Sequence, residues 1–263
     1  GKTNELFTRM MVNVALLSSD FDYEDNISLL DPVAGKGTTL FEASIYGFNV
    51  YGIELEAKSV HEATIFFKKY LERERIKHTA DKRQVAGTSK KDAVLMNEFS
   101  FAFSKEQFKS PENQKKLGLV CGNTKDADLY FKKNQFHLLV GDLPYGIVHG
   151  NTANKRSASI TRNPSELLSE SLQQWYKVLK KGGIVIVAWN SFLASRAKMA
   201  ALFSKSGFEV LIRPLNLIYG PIVIPLVLLL FNGLDGLLIG ALIYFLIVLL
   251  FGTILIAELK IAK

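Results

Sequence analysis

The tetrapeptide Asp142-Leu143-Pro144-Tyr145 is the part of this sequence best suited to do chemistry. An exocyclic amine on a base is a poor nucleophile, because its lone pair is delocalised into the ring. The Asp142 carboxylate and the Leu143 carbonyl can accept the two N–H bonds of such an amine. That orients the lone pair toward an electrophile and stabilises the positive charge that develops on nitrogen. Pro144 stiffens the turn. Tyr145 offers a ring face to a base that is unpaired or rotated out of its strand. A chance Asp-x-Pro-Tyr loop is the competing reading. It weakens once the tetrapeptide is seen to end a strand of a sheet that carries a second motif.

That second motif is Asp31-Pro32-Val33-Ala34-Gly35-Lys36-Gly37-Thr38, followed by Glu42-Ala43. A short apolar run feeds a glycine-rich turn that opens a helix, and Gly35 and Gly37 let the backbone approach a ligand closely. The Gly35-Lys36 pair imitates a phosphate-binding loop, but that loop needs a glycine where Leu30 stands. A dinucleotide fingerprint fails as well, because Leu40 occupies the place of its third glycine. Glu54 ends the next strand, where a carboxylate can accept the ribose hydroxyls of a nucleoside cofactor, with Glu56 as a competitor. Asp126, after the third strand, could accept from an adenine amino group. Asp128 stands close by, and loop aspartates are also common for turn reasons alone.

The elements that must position these residues alternate between strand and helix. Apolar residues at helical spacing (Leu6, Met10, Val14, Leu17) predict an amphipathic helix over 3–17. Strands are expected at 27–30, 49–53, 117–121, 136–140, 183–189 and 208–212, with helices at 38–46, 57–77, 164–179 and 193–206. This order argues for a parallel sheet with crossover helices on both faces, an α/β Rossmann-like doubly wound fold. Residues 79–116 break the rhythm and read as a polar, partly mobile insertion with a Phe99, Phe101 and Phe103 patch.

The chain divides by composition near residue 213. The net charge is +7, yet residues 214–263 hold only Asp235, Glu258, Lys260 and Lys263, so the whole excess lies in 1–213. A basic body suggests a polyanionic partner, nucleic acid first and an anionic membrane surface second, against a generic solvated surface. Lys155, Arg156 and Arg162, in the loop after the tetrapeptide, are placed for phosphate contact, unless that loop is merely polar. Lys68, Lys69, Arg73, Arg75 and Lys77 read as a solvated helix face. Cys121 is the only cysteine, and the four histidines lack ligand spacing, so no metal site is assigned. Residues 214–263 form an apolar C-terminal tail. Leu234 to Ala257 spans 24 residues with one charge, long enough to cross a bilayer, and with 217–231 reads as a transmembrane hairpin turning at Asn232-Gly233. The flanking lysines and arginine would keep both ends in the cytoplasm. The alternative is a set of buried strands, with 253–262 completing the sheet. No secretory leader is read at the N-terminus, and a cytoplasmic location, with membrane association through the tail, is expected.

The order of the two motifs resembles that of the nucleic-acid amino methyltransferases. The Asp-Leu-Pro-Tyr-Gly version at 142–146, with the amphipathic helix before the first motif, is most similar to the tRNA guanosine N2-methyltransferases that follow a THUMP domain. The resemblance covers residues 2–213. It implies a class I fold dependent on S-adenosylmethionine, with the cofactor held by Asp31, Pro32, Ala34, Gly35, Gly37, Thr38, Glu54 and Asp126. It implies that Asp142, Leu143, Pro144 and Tyr145 handle the base, and that the partner is RNA, tRNA above DNA. The implied reaction is methylation of an exocyclic nucleobase amine, guanosine N2 in tRNA. DNA adenine N6-methylation uses the same geometry and stays open, as does a non-catalytic scaffold binding S-adenosylmethionine or RNA at a membrane. Two departures stand out. The chain holds no THUMP or other RNA-binding domain, and the apolar tail stands where the family has its last strands.

Overall fold

The computed structural model describes residues 4–87, 92–144 and 163–211, together with the backbone of 255–258. The chain forms two units, residues 1–210 with 255–263 and residues 211–254. Of the second unit only Leu211 is described.

The first unit is built on one sheet. Its centre is the parallel set β5 (Lys115–Cys121), β2 (Asn49–Glu54), β1 (Ser28–Asp31), β6 (Phe136–Asp142) and β7 (Leu179–Ala188), in that spatial order. These strands are nearly continuous apolar runs, as expected where helices cover both faces. Leu29, Leu30, Val50, Ile53, Leu138, Leu139 and Val185 are all buried. The doubly wound α/β architecture expected from the alternation is therefore present, and the sheet as a whole is mixed, because antiparallel strands extend both sides of the parallel centre.

The helices follow their local signals. In α2 (Thr38–Ile45) the chain enters from Gly37 with φ of 83°. Helix α3 (Ala57–Arg73) buries Val60, Ala63, Phe67 and Leu71, and Phe67 meets Phe41, Phe99 and Phe101 edge-on or stacked. After the short α5 (Ala127–Tyr130), helix α6 (Pro164–Val178) has Pro164 in its first turn and an Asn163 cap that accepts from the Ser165 N–H. It buries Leu168, Leu172 and Trp175 at helical spacing. The Trp175 indole donates to Thr124 Oγ1 at 3.0 Å, tying α6 to the loop after β5. The last helix of the unit, α7 (Arg196–Lys205), is capped by Ser195.

Three expectations are corrected. First, the 79–116 insertion is largely ordered sheet. Strands β3 (Lys77–Ala86) and β4 (Val94–Ala102) form an antiparallel hairpin on the free side of β5, and α4 (Lys105–Lys109) follows. Phe99 and Phe101 alternate inward from β4 and are buried, whereas Phe103 lies beyond the strand and is exposed. Residues 88–91 lie outside the described residues. Second, the buried face of α1 (Glu5–Ser18) is rotated from the expected stripe, of which Met10 and Val14 are half-buried. The helix buries Thr8, Met11, Val12 and Ala15, while Leu6 is 72% and Leu17 81% exposed. Both stripes repeat at helical spacing. The smaller Thr8 and Ala15 allow α1 to sit close against α2, β6 and β7. Third, the strand expected from Gly183 begins at Leu179, with a register irregularity opposite Phe136–Leu138.

The expected apolar tail is divided. Residues 255–258 form β9, antiparallel to β7 on one side and to β8 (Glu209–Val210) on the other. Of the expected hairpin over 217–257, residues 217–254 lie outside the described residues and 255–257 fall in β9, and among the described residues no helix is long and apolar enough to cross a membrane.

Candidate active site

The two motifs leave the sheet side by side. Strands β1 and β6 are parallel neighbours, with Leu30 opposite Leu139, so Asp31 and Asp142 emerge at the same C-terminal edge. Gly141 permits the approach. A Cβ there would lie 3.2 Å from Val33 Cγ2 and 3.3 Å from Pro32 Cδ. Ligands of open α/β sheets bind at this edge.

The glycine turn is held from three directions. Gly35 and Gly37 take φ of 52° and 83°, a region that side chains disfavour. Ala34 donates to Ile53 O at 2.9 Å and Gly37 to Ala34 O at 2.7 Å. The Gly35 N–H donates to Glu54 Oε2 at 2.8 Å, and the Glu56 N–H donates to Glu54 Oε1 at 2.7 Å. Glu54 thus braces the turn. Glu56 instead accepts from Ser59 Oγ in α3 at 2.6 Å, which separates the two acids that compete in the sequence.

The same sorting happens after β5. Cys121 is paired with Glu54 in register, so the next loop runs beside the glycine turn. Asp126 ends a short 3-10 turn and accepts from the Tyr130 hydroxyl at 3.5 Å, and Tyr130 also receives the Asn123 N–H at 3.2 Å. Burial pushes the Tyr130 phenol up to about 12. Asp128 is committed elsewhere, to Lys177 of α6 at 2.7 Å.

Asp31 is only 2% exposed. Burial pushes its carboxyl up to about 7, and the Asp142 and Glu54 carboxylates push the same way. The Thr39 hydroxyl and the Val33 N–H, which donates to Asp31 Oδ1 at 3.0 Å, pull against that shift. Three carboxylates therefore converge at the ends of β1, β2 and β6. Such a donor set fits a ligand that brings both a cation and hydroxyl groups, as the expected S-adenosylmethionine does.

A pH dependence follows from Asp31. Its folded value lies above the ordinary value of 3.8, so the folded state binds more protons than the unfolded state between about 4 and 7. This contribution to stability is complete below the unfolded value and is lost as pH rises through about 7. Without ligand, Asp31→Asn should therefore gain on the wild type in urea midpoint as pH increases from 4.5 to 8. An offset constant across that range would rule out a titrating Asp31.

Asp31, Pro32, Ala34, Gly35, Gly37, Thr38 and Glu54 lie on and around the glycine turn with Asp142 near Asp31, Leu143 and Pro144 continue from β6, and Asp126 stands in the loop after β5. Leu143 is buried, and its N–H donates to Ala188 O at 2.8 Å, fixing the motif to β7. Tyr145, Lys155, Arg156 and Arg162 lie outside the described residues. Thr39, which holds Asp31, escapes a sequence reading that stops at Thr38. The pairing of the buried Glu42 with Arg9 of α1 escapes one that treats α1 as a separate amphipathic helix. A doubled threonine after the glycines was the available signal for the first. Among the described residues no cluster of His, Cys, Asp or Glu could hold a metal ion.

A family model described as UPF0020: RMKL-like, methyltransferase domain matches residues 8–212. A search of curated proteins finds no match. Among solved structures, a geranyl diphosphate methyltransferase in complex with SAM is 11% identical, over 97% of this chain and 85% of that one, with a TM-score of 0.49. The geranyl diphosphate C-methyltransferase from Streptomyces coelicolor A3(2) is 11% identical over 97% and 78%, with a TM-score of 0.48. The [4+2]-cyclase SpnF is 13% identical over 98% and 82%, with a TM-score of 0.49.

Proposed function

The chain belongs to the UPF0020 family of RMKL-like methyltransferase domains, and from that premise we propose that it methylates an exocyclic amino group of a nucleobase in RNA, specifically guanosine N2 in tRNA. The observation that carries this reading is Asp142-Leu143-Pro144 at the end of β6, beside the Asp31 turn. A carboxylate and a backbone carbonyl in sequence suit an amine with two N–H bonds.

S-adenosylmethionine supplies an electrophilic methyl group on a sulfonium sulfur. Asp31, Gly35, Gly37, Glu54 and Asp126 would hold it, with Pro32, Ala34 and Thr38 shaping the turn. Glu54 keeps lone pairs for ribose hydroxyls while it accepts from the Gly35 and Glu56 N–H groups. Asp142 accepts one N–H of the target amine and Leu143 O accepts the other, so the nitrogen lone pair is freed from the ring and aimed. As nitrogen gains charge, Asp142 stabilises it. Leu143 cannot drift from its place, because its own N–H is bonded to Ala188. Tyr145 follows in sequence as the stacking ring.

The test is incubation of the full chain with methyl-labelled S-adenosylmethionine and total tRNA, and in parallel with genomic DNA, each followed by nucleoside mass spectrometry. Labelled N2-methylguanosine is expected. Label recovered as N6-methyladenine in DNA, with none in RNA, would overturn the RNA reading.

A further inference from the structure

The loop after β7 leaves the sheet beside the acceptor motif. Asp142 and Ala188 are register partners, and Leu143 is bonded to Ala188. The residues that follow form a pinned turn. The buried Trp189 indole donates across it to Ala194 O at 2.8 Å. The Phe192 N–H donates to Asn190 Oδ1 at 3.0 Å, and the Leu193 N–H to Asn190 O at 3.0 Å. At the top of this turn Phe192 is 98% exposed. The ring gains nothing there from burial, and no other described ring lies against it. A single exposed apolar side chain is ordinary on a protein surface; what sets Phe192 apart is the hydrogen-bonded turn that presents it and the charge beside it.

Charge adds a second observation. The first turn of α7 follows directly and contains Arg196 and Lys198 but no acid. Both are exposed, and neither has an ion-pair partner among the described residues. The turn therefore presents an aromatic face and two available cations together, on the edge where Asp142 emerges.

We propose that residues 189–198 form a contact for single-stranded RNA, in which an unpaired base neighbouring the target stacks on Phe192 and its phosphates meet Arg196 and Lys198. Stacking of this kind tolerates any base, because every base has a π face, and the cations supply a sequence-independent attraction. The pinned turn means that little order has to be imposed on binding. The proposal rests on the RNA reading above.

The experiment titrates the full chain with a fluorescently labelled tRNA transcript, and with single-stranded DNA of the same sequence. Wild type is compared with Phe192→Ala, Phe192→Trp and the pair Arg196→Ala with Lys198→Ala. Phe192→Ala should weaken RNA binding about 5- to 100-fold, and Phe192→Trp should retain it. The double alanine, which removes two phosphate contacts, should reduce the slope of log affinity against log salt by about 1.4. Binding of S-adenosylmethionine, followed by calorimetry, should be equal in all four proteins. If wild type binds the transcript and Phe192→Ala binds it equally well, the contact is overturned while the RNA reading stands. If wild type binds DNA and not RNA, both are overturned.

Discussion

Asp142→Ala should lower kcat for methyl transfer by about 10²- to 10³-fold, the effect of removing one preorganised group from a developing charge. The expected loss is confined to the chemical step. Asp142 ends β6, and its main-chain register with Ala188 is independent of its side chain. Its charge raises the value of the nearby Asp31 carboxyl, so removing it relieves a repulsion inside the fold. Binding of S-adenosylmethionine should stay close to wild type, and the unfolding midpoint shows whether the variant is folded. Asp142→Asn retains an oxygen that can accept an N–H but lacks the charge, and should fall between the two. Single-turnover rates with saturating cofactor and tRNA decide the matter. A rate unchanged in Asp142→Ala, with intact folding, would remove Asp142 from the chemistry and favour a binding scaffold.

Gly52→Val should destabilise the domain by about 3 kcal/mol, at the upper end of what overpacking a close-packed core does. Gly52 lies in the middle of β2. A Cβ there would come within 2.8 Å of Ala34 Cβ and Leu40 Cδ1 and 2.9 Å of Leu119 Cδ1. Two of those atoms belong to the glycine turn and to α2, so the strain is delivered to the cofactor site. A fall in Tm on the order of 10 °C is expected, with weaker binding of S-adenosylmethionine in the fraction that stays folded. Thermal unfolding with and without cofactor measures both. A Tm within a degree of wild type would mean that the turn has room to move, against the geometry described.

The parts of the site that can be read from sequence are those whose signal is local. A strand, a glycine turn and a helix announce themselves within residues 27–46, because apolar periodicity and turn chemistry are short-range. Asp142-Leu143-Pro144 is legible for the same reason. The 77–102 hairpin is not. β3 is an edge strand with both faces largely in water, so it lacks the alternation that marks a half-buried strand, and its lysines and arginine suit an unpaired edge. The face of α1 is equally hidden, because two apolar stripes share one period and only a neighbour can choose between them.

By itself, then, the sequence determined the α/β class, the position of the glycine turn and the acidic acceptor motif. Each depends on residues within a few positions of one another. Tertiary structure decided what depends on distant partners. It bonded Glu54, rather than Glu56, to Gly35. It drew Asp128 away to Lys177, while Asp126 stays in the loop after β5 with the Tyr130 hydroxyl. It set Asp31 against Asp142, where burial and two neighbouring carboxylates raise its carboxyl to about 7. The physical reason is the same in each case. Hydrogen bonds, ion pairs and desolvation act through a few ångströms of space, and the residues that supply them are up to 111 positions apart in the chain, as Asp31 and Asp142 are.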